Sequence, residues 1–169
     1  NAVVAAGVPA EDFAATVDSL WLDLSKGLGC PVGAVLAGTR EFIDEAWRWK
    51  HRVGGAMRQA GIIAAAGSWA LANHVERLAE DHNNARQFAK RVSEIPGVHL
   101  VNEDVQTNLI FFDVSGSQLP AQDISARLRE QGVWIGAIDN ERMRAVTHLD
   151  VSRDDVNEAA DRLADVING

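Results

Sequence analysis

The stretch that decides the fold is "LDLSKGLGCPVG", residues 22–33, because an apolar run ends in it and glycines then free the backbone. Residues 19–24 are mostly apolar and are followed by turn-forming residues, a pattern that predicts a β-strand. Residues 32–37 are bounded by glycines and predict a second strand. We therefore predict a hairpin-like unit with Lys26 in the loop between its strands.

The composition is that of a globular domain of ordinary size. The chain has 169 residues, of which 47% are hydrophobic, so it can bury a core. Its formal net charge of −8 argues against a nucleic-acid partner, which requires a basic surface. No apolar run reaches the ~20 residues of a membrane span, and a single cysteine suits a reducing compartment. We expect a cytoplasmic protein that binds neither nucleic acid nor a membrane.

The first residues, "NAVVAAG" (1–7), have the composition of the middle of a helix. They include no initiator methionine, and they lack the basic residues with which a secretory signal begins. We expect the chain to be part of a longer polypeptide.

Two helical segments are predicted after the hairpin. Thr39 is suited to cap the first segment, in which apolar residues recur at helical spacing until a pair of glycines ends it. The second pattern covers residues 57–95 and ends at a Pro-Gly pair. Its first half, "GIIAAAGSWALA", is apolar on nearly all sides, so we expect it to be buried, with a bend near Asn73.

Beyond residue 95, short strands alternate with helices. Strands are predicted for residues 98–101, 109–114, 133–135 and 143–147, and helices for residues 121–131 and 153–167. We predict an α/β fold with residues 1–72 in a large domain, residues 73–95 as a connecting helix and residues 96–169 as a small α/β domain.

Lys26 is the first candidate for chemistry, although most lysines are solvated surface charges. It follows a predicted strand, where ligand-contacting groups of α/β sheets lie. The neighbouring glycines leave room for a planar ligand. Apolar surroundings would remove water from the ammonium and lower its pKa, and a neutral lysine is a nucleophile for a carbonyl group.

Four segments of the chain, in this order, resemble the low-specificity threonine aldolases: "LSKGLGCPVGAVLAG" (24–38), "GGAMRQAGIIAAAG" (54–67), "NHVERLAEDHNNA" (73–85) and "VTHLDVS" (146–152). That family consists of pyridoxal-phosphate (PLP) lyases. The resemblance implies the C-terminal part of a fold-type-I PLP enzyme: the end of the large-domain sheet with long helices, plus a small α/β domain. It implies that Lys26 binds PLP as a Schiff base.

The resemblance also implies that part of the cofactor site lies outside this chain. In the family, an Asp-Gly-Ala-Arg motif directly precedes the residues that match Asn1 to Val4. Its carboxylate pairs with the pyridine nitrogen of PLP, and a phosphate loop and a stacking histidine lie further upstream. We therefore expect the N-terminal half of the same enzyme as a partner, and a homodimer or homotetramer.

Three further residues are candidates for the site. Arg144 lies in a predicted strand, where it is either a surface arginine or, as the resemblance implies, the ligand of the substrate carboxylate, with Arg142 as the alternative. Arg58 opens the long helical pattern, where a cation opposes the helix macrodipole, and the resemblance implies a place near the cofactor. Ser25 is a candidate for the cofactor phosphate or for a bond to neighbouring backbone.

Other polar residues are not expected to form a site. His74 and His82 are eight residues apart, roughly 12 Å along a helix, so they cannot hold one metal ion, and we expect no metal. His148 and Asp150 do not make a triad with Ser25, because the glycines of a nucleophile elbow do not flank that serine.

The resemblance implies an aldolase that cleaves β-hydroxy-α-amino acids, such as threonine or phenylserine, to glycine and an aldehyde. Full activity would then need the N-terminal half. The residues leave open a β-eliminating lyase, a racemase or a hydroxymethyl transferase, because all of these can use one lysine and one arginine. They also leave open a non-catalytic fragment that folds only against its partner.

Overall fold

The chain, described over all residues 1–169 by a computed structural model, divides into two units, Asn1–Leu78 and Ala79–Gly169. The first unit holds α1 (Ala2–Ala6), α2 (Ala10–Ala14), β1 (Ser19–Asp23), β2 (Ala34–Gly38), α3 (Arg40–Arg52) and α4 (Gly61–Asn73). The second holds α5 (Leu78–Ser93, whose first residue ends the first unit), β3 (His99–Leu100), β4 (Leu109–Asp113), α6 (Ala121–Glu130), β5 (Gly136–Ala137), β6 (Arg142–Val146) and α7 (Arg153–Asn168). None of these helices has both the length and the apolar character that a membrane crossing requires.

The predicted hairpin is confirmed in the first unit. β1 and β2 pair antiparallel, and Lys26 lies in the loop between them. The predicted cap is also confirmed, because the Oγ1 of Thr39 accepts the backbone N–H of Phe42 at 3.2 Å at the start of α3. α3 ends shortly before Gly54, whose φ of 74° is a left-handed conformation that favours glycine.

The helical pattern predicted over residues 57–95 is two helices, α4 and α5, and the break between them follows the predicted bend at Asn73. α4 begins at Gly61, so Arg58 lies in a turn and does not open the helix, contrary to the prediction. The residue after it, Gln59, has a φ of 55°, which a helix cannot contain.

The predicted connecting helix, residues 73–95, is shared between the two units because the division falls at Leu78. Ala85, Phe88 and Val92 of α5 are buried in the core of the second unit. α5 is therefore an integral helix of that unit. The limits of the domains in the complete protein stay a prediction.

The predicted burial of α4 is wrong for this chain. Only Gly67 and Ala70 of the helix are buried, whereas Ile62 is 79% and Trp69 is 58% exposed. The helix is apolar on all sides, but the first unit offers it only one small cluster of buried side chains. Its remaining apolar surface has no cover among these 169 residues.

The second unit is built on an antiparallel four-stranded sheet with the order β3-β4-β6-β5. Side chains of β4 and β6 alternate between buried and less buried positions, as expected for a sheet covered on one face. The covered face contributes Ile110, Phe112 and Met143 to a core that also contains residues of α5, α6 and α7. The opposite face carries Arg144, with Leu109 and Val146 exposed beside it.

One predicted strand of the second unit is wrong. Residues 133–135 are apolar, but the strand lies at Gly136–Ala137 instead. The N–H of Val133 donates to the carbonyl of Leu128 at 2.9 Å, and the carbonyl of Ile135 accepts the hydroxyl of Ser125 at 2.6 Å. These bonds to α6 occupy the backbone groups that a strand would use.

Two glycines meet where the chain leaves α5 and where it leaves β4. Gly97 has a φ of 81°, and a Cβ at this position would lie 2.6 Å from the carbonyl oxygen of Gly116. A Cβ on Gly116 would in turn lie 2.6 Å from the Cα of Gly97. The obstacle is backbone in both cases, so the two turns can touch only as glycines.

Candidate active site

The loop between β1 and β2, residues 24–33, is closed by its own backbone. The N–H of Leu24 donates to the carbonyl of Gly33 at 3.0 Å, and the N–H of Cys30 donates to the carbonyl of Leu24 at 2.9 Å. Within this loop, the N–H of Gly29 donates to the carbonyl of Lys26 at 2.8 Å, which closes a tight turn that begins at the lysine. We call residues 26–29 the Lys26 turn.

The loop is anchored to α4 by buried side chains. Leu24, Leu28 and Cys30 are buried together with Ala70 of the helix. The thiol of Cys30 donates to the carbonyl of Ala66 at 3.5 Å. Cys30 therefore fills space between the loop and the helix, as a buried cysteine commonly does. The Lys26 turn is therefore mounted on a helix and is not a free surface loop.

Glycine is required beside the lysine for packing. Gly27 is buried, and a Cβ there would lie 2.9 Å from Cδ2 of Leu78 and 3.2 Å from the side chain of Asn1. Gly67 of α4 has the same role from the helix side, because a Cβ there would lie 2.9 Å from Cδ1 of the buried Leu24. The glycines bring the turn and the helix close together.

The structure places Ser25 and Lys26 on the exposed surface of this chain. The apolar surroundings that the sequence predicts for the Lys26 ammonium are not provided by the first unit. The physical reason is that the apolar neighbours of the lysine, Leu24 and Leu28, are buried with α4 instead of covering the amine. Arg58 is also exposed, in the turn before α4.

Arg144 lies in the second unit, so the units divide the predicted site residues between them. It sits on the exposed face of β6, opposite Phe111 of β4 on one side and Gly136 of β5 on the other. Its cross-strand neighbours are thus an aromatic ring and a residue without a side chain. Arg144 itself is exposed, on the face of the sheet that does not contribute to the core.

Arg142, the alternative to Arg144, is occupied. Its Nε donates to Oδ2 of Asp139 at 2.7 Å, and its Nη2 lies 2.5 Å from the same oxygen. This hydrogen-bonded pair lowers the pKa of the Asp139 carboxyl and raises the pKa of the Arg142 guanidinium. Arg144 is therefore the better candidate for a carboxylate ligand.

Asn108 and His74 each hold another segment of the chain through hydrogen bonds. Asn108 is buried, and it exchanges hydrogen bonds with Thr147 through its side chain at 3.0 Å and its carbonyl at 3.1 Å. His74, weighed in the sequence only as a metal ligand, has its Nδ1 2.7 Å from the carbonyl oxygen of Leu28. No signal in the sequence indicates this contact, because the two residues are 46 positions apart.

The polar clusters that the sequence set aside do not form a metal site in the structure. No group of three His, Cys, Asp or Glu side chains is arranged to hold a metal ion. Nδ1 of His148 lies 2.9 Å from Oδ1 of Asp150, as an exposed pair in the second unit, whereas Ser25 belongs to the first unit.

The comparison with protein families is decisive, since the family described as Beta-eliminating lyase matches residues 1–115. The chain belongs to this family. Among curated relatives, the low specificity L-threonine aldolase of Escherichia coli K12 is 43% identical over 160 residues, which are 95% of this chain and 46% of that protein. Low-specificity L-threonine aldolase 1 of Arabidopsis thaliana is 36% identical, over 93% of this chain and 44% of that protein.

Solved structures agree on the fold. A provisionally assigned aromatic amino acid beta-eliminating lyase/threonine aldolase from Exiguobacterium sp. 255-15 superposes with a TM-score of 0.76 at 22% identity, over 97% of this chain and 49% of that one. A PLP-dependent aminotransferase from Streptococcus suis superposes with a TM-score of 0.69 at 15% identity, over 89% and 41%. The predicted fold, the C-terminal part of a fold-type-I PLP enzyme, is confirmed.

The predicted resemblance to low-specificity threonine aldolases is confirmed as well. The chain spans less than half the length of the two curated relatives named above. The family and its structural neighbours indicate PLP as the cofactor.

Proposed function

We propose that this chain supplies the lysine-bearing half of a PLP-dependent aldolase, which cleaves β-hydroxy-α-amino acids such as threonine or phenylserine to glycine and an aldehyde. The observation that carries the proposal is the Lys26 turn, a closed and helix-anchored turn that contains an exposed lysine within the segment matched by the family. The relatives named as threonine aldolases support this reaction over others.

The residues present fit PLP by their chemistry. The cofactor carries an aldehyde, for which the amine of Lys26 is the reaction partner, and we propose that this lysine holds it as a Schiff base. The hydroxyl of Ser25 and the guanidinium of Arg58, both exposed, are suited to the cofactor phosphate. When bound, PLP supplies the electron sink for the pair released as the Cα–Cβ bond breaks.

This chain's own residues orient the reaction. We propose that the Arg144 guanidinium binds the substrate carboxylate through two parallel N–H donors, which fixes the amino acid in one orientation. The anchored Lys26 turn holds the amine where it can bind the aldehyde and later displace the glycine product. The group that removes the proton of the β-hydroxyl is proposed to lie in the half of the enzyme outside this chain.

We propose that the remaining half of the enzyme, or another copy in a homodimer or homotetramer, covers the exposed apolar surface of the first unit. Ile62 and Trp69 of α4 and Trp47 and Trp49 of α3 are each more than half exposed. Large apolar side chains exposed in this number are typical of a surface that a partner covers. A cytoplasmic location, as expected for a PLP enzyme of amino-acid metabolism, belongs to the same proposal.

Product analysis of the complete protein tests the function. We expect threonine and phenylserine to give glycine with acetaldehyde or benzaldehyde, each in a one-to-one ratio. The description of the matched family favours β-elimination as the second candidate, which would release ammonia and a keto acid instead. Ammonia in place of glycine contradicts the aldolase proposal, and PLP binding without any product would indicate a non-catalytic role.

Arg144→Gln is expected to raise the KM for threonine by roughly 10- to 100-fold, because a hydrogen-bonded charge pair with the carboxylate is lost. PLP binding should change little, since the arginine is proposed to contact the substrate only. Arg142→Gln is the matched control, because it removes a neighbouring guanidinium that is already paired with Asp139. Equal effects of the two variants on KM would contradict the assignment of Arg144.

A further inference from the structure

His74 connects the end of α4 to the Lys26 turn. It is the C-terminal cap residue of the helix, and its backbone N–H donates to the carbonyl of Ala70 at 2.7 Å. Its side chain turns the other way, with Nδ1 2.7 Å from the carbonyl oxygen of Leu28. The imidazole is half-buried, and the ring of Trp69 meets it edge-on with the centroids 4.7 Å apart, which restricts its orientation.

The direction of this hydrogen bond follows from its partners. A carbonyl oxygen can only accept, so Nδ1 of His74 carries the proton and donates to Leu28. Leu28 lies inside the turn that the Lys26 carbonyl and the Gly29 N–H close at 2.8 Å. The histidine therefore holds the middle of the lysine-bearing turn from a helix 46 residues further along the chain.

A second side-chain hydrogen bond between the loop and α4 is weaker. It runs from the Cys30 thiol to the Ala66 carbonyl at 3.5 Å, and a thiol is a weak donor. Leu24 and Leu28 pack in the buried cluster that holds the loop against α4, but such apolar contacts do not fix the direction of a peptide group. The His74 bond adds a directional restraint from outside the loop to the backbone bonds that close the turn.

We propose that His74 is a positioning residue, whose Nδ1–H fixes the Lys26 turn so that the lysine amine is held ready for its carbonyl partner. The inference rests on the proposed function, because the order of the turn affects activity only if Lys26 is the group that bonds to PLP. It requires an N–H donor bonded to Cγ, at the position of Nδ1, and does not require the imidazole ring itself. Asparagine also places a donor there, on Nδ2, and it is tolerated at the end of a helix.

The test compares His74→Leu with His74→Asn in the complete protein. Leucine removes the donor, whereas asparagine keeps it, so the second variant should restore what the first loses. His99→Leu is the control, since it removes an exposed histidine from β3 in the second unit. Circular dichroism of each variant establishes that it is folded before the other measurements are read.

Two measurements separate this inference from the proposed function. Hydrogen exchange of the Gly29 and Cys30 amides in the PLP-free protein reports the order of the turn, whatever the protein catalyses. We expect a roughly 2- to 10-fold faster exchange in His74→Leu, the scale of one hydrogen bond, with near-normal exchange in His74→Asn. We expect the rate at which PLP bonds to Lys26 to fall by a similar factor in His74→Leu and to recover in His74→Asn.

Two outcomes would overturn the inference. If His74→Leu exchanges like the unmodified protein, the histidine does not hold the turn. If exchange rises in His74→Leu while PLP bonds to Lys26 at an unchanged rate, the histidine orders the loop without positioning the amine. Failure of the proposed function gives a different result, because the unmodified protein itself would then form no bond between PLP and Lys26.

Discussion

Lys26→Ala in the complete protein is expected to abolish the visible absorption of lysine-bound PLP and to lower the rate of threonine cleavage roughly 1,000-fold or more, as removal of a principal catalytic group does. The loss follows from the placement of the amine at the start of a turn that the backbone closes and α4 anchors. Alanine keeps the backbone of the turn intact, so the effect on folding should be small.

Borohydride reduction followed by peptide mapping gives a second measurement that does not depend on catalysis. In the unmodified protein, the pyridoxyl label should appear on the peptide that contains Lys26. Lys90→Ala is the control, because that lysine is an exposed residue of α5 and should leave both the absorption and the label unchanged. A label that persists in Lys26→Ala would contradict the assignment.

Gly97→Ala is expected to destabilise the second unit by about 2–5 kcal/mol, a large part of the 5–15 kcal/mol that a domain commonly has. A left-handed φ costs an L-residue about 1–2 kcal/mol, and overpacking against rigid neighbours costs about 1–3 kcal/mol more. Both apply at Gly97, whose φ is 81° and whose added Cβ would lie 2.6 Å from the carbonyl oxygen of Gly116.

Gly132→Ala is the matched control for this variant. Gly132 has nearly the same φ, 80°, but the nearest atom to its added Cβ is a side-chain nitrogen of Arg162 at 3.7 Å. It should therefore show the cost of the left-handed backbone alone, about 1–2 kcal/mol. Chemical denaturation followed by circular dichroism measures both values, and equal losses in the two variants would exclude the contact between Gly97 and Gly116 as the cause.

The sequence predicts the elements whose bonds are local. The cap at Thr39 and the helices α6 and α7 depend on neighbours within a few residues. The hairpin and β4 are indicated by short apolar runs and by the turn-forming residues around them. The position of β5 could not be predicted, because the backbone of residues 133–135 bonds to Ser125 and Leu128 of α6. An apolar run in the sequence does not show whether its backbone will pair with a strand or with a helix.

The residues proposed for the site come from the sequence, but their surroundings could not be predicted from it. Lys26 and Arg144 are the residues that the family pattern indicates, and the structure gives each an exposed position on a regular support. The water-free environment predicted for the lysine, and the burial predicted for α4, depend on atoms that these 169 residues do not contain. Apolar composition predicts that a surface is to be covered, without indicating by what.

The alternation along β6 has a consequence for how this half of the enzyme can change by insertion and deletion. Met143 and Ala145 are buried on either side of the exposed Arg144, and the connection from β5 is tied by the bond from Ile138 N–H to the Arg142 carbonyl at 2.8 Å. Adding or removing one residue there would drive the guanidinium into the core and expel Met143. Related proteins that vary this segment should therefore do so by substitution, or by insertions and deletions of two residues, because only these changes keep the Arg144 guanidinium on the exposed face of the sheet.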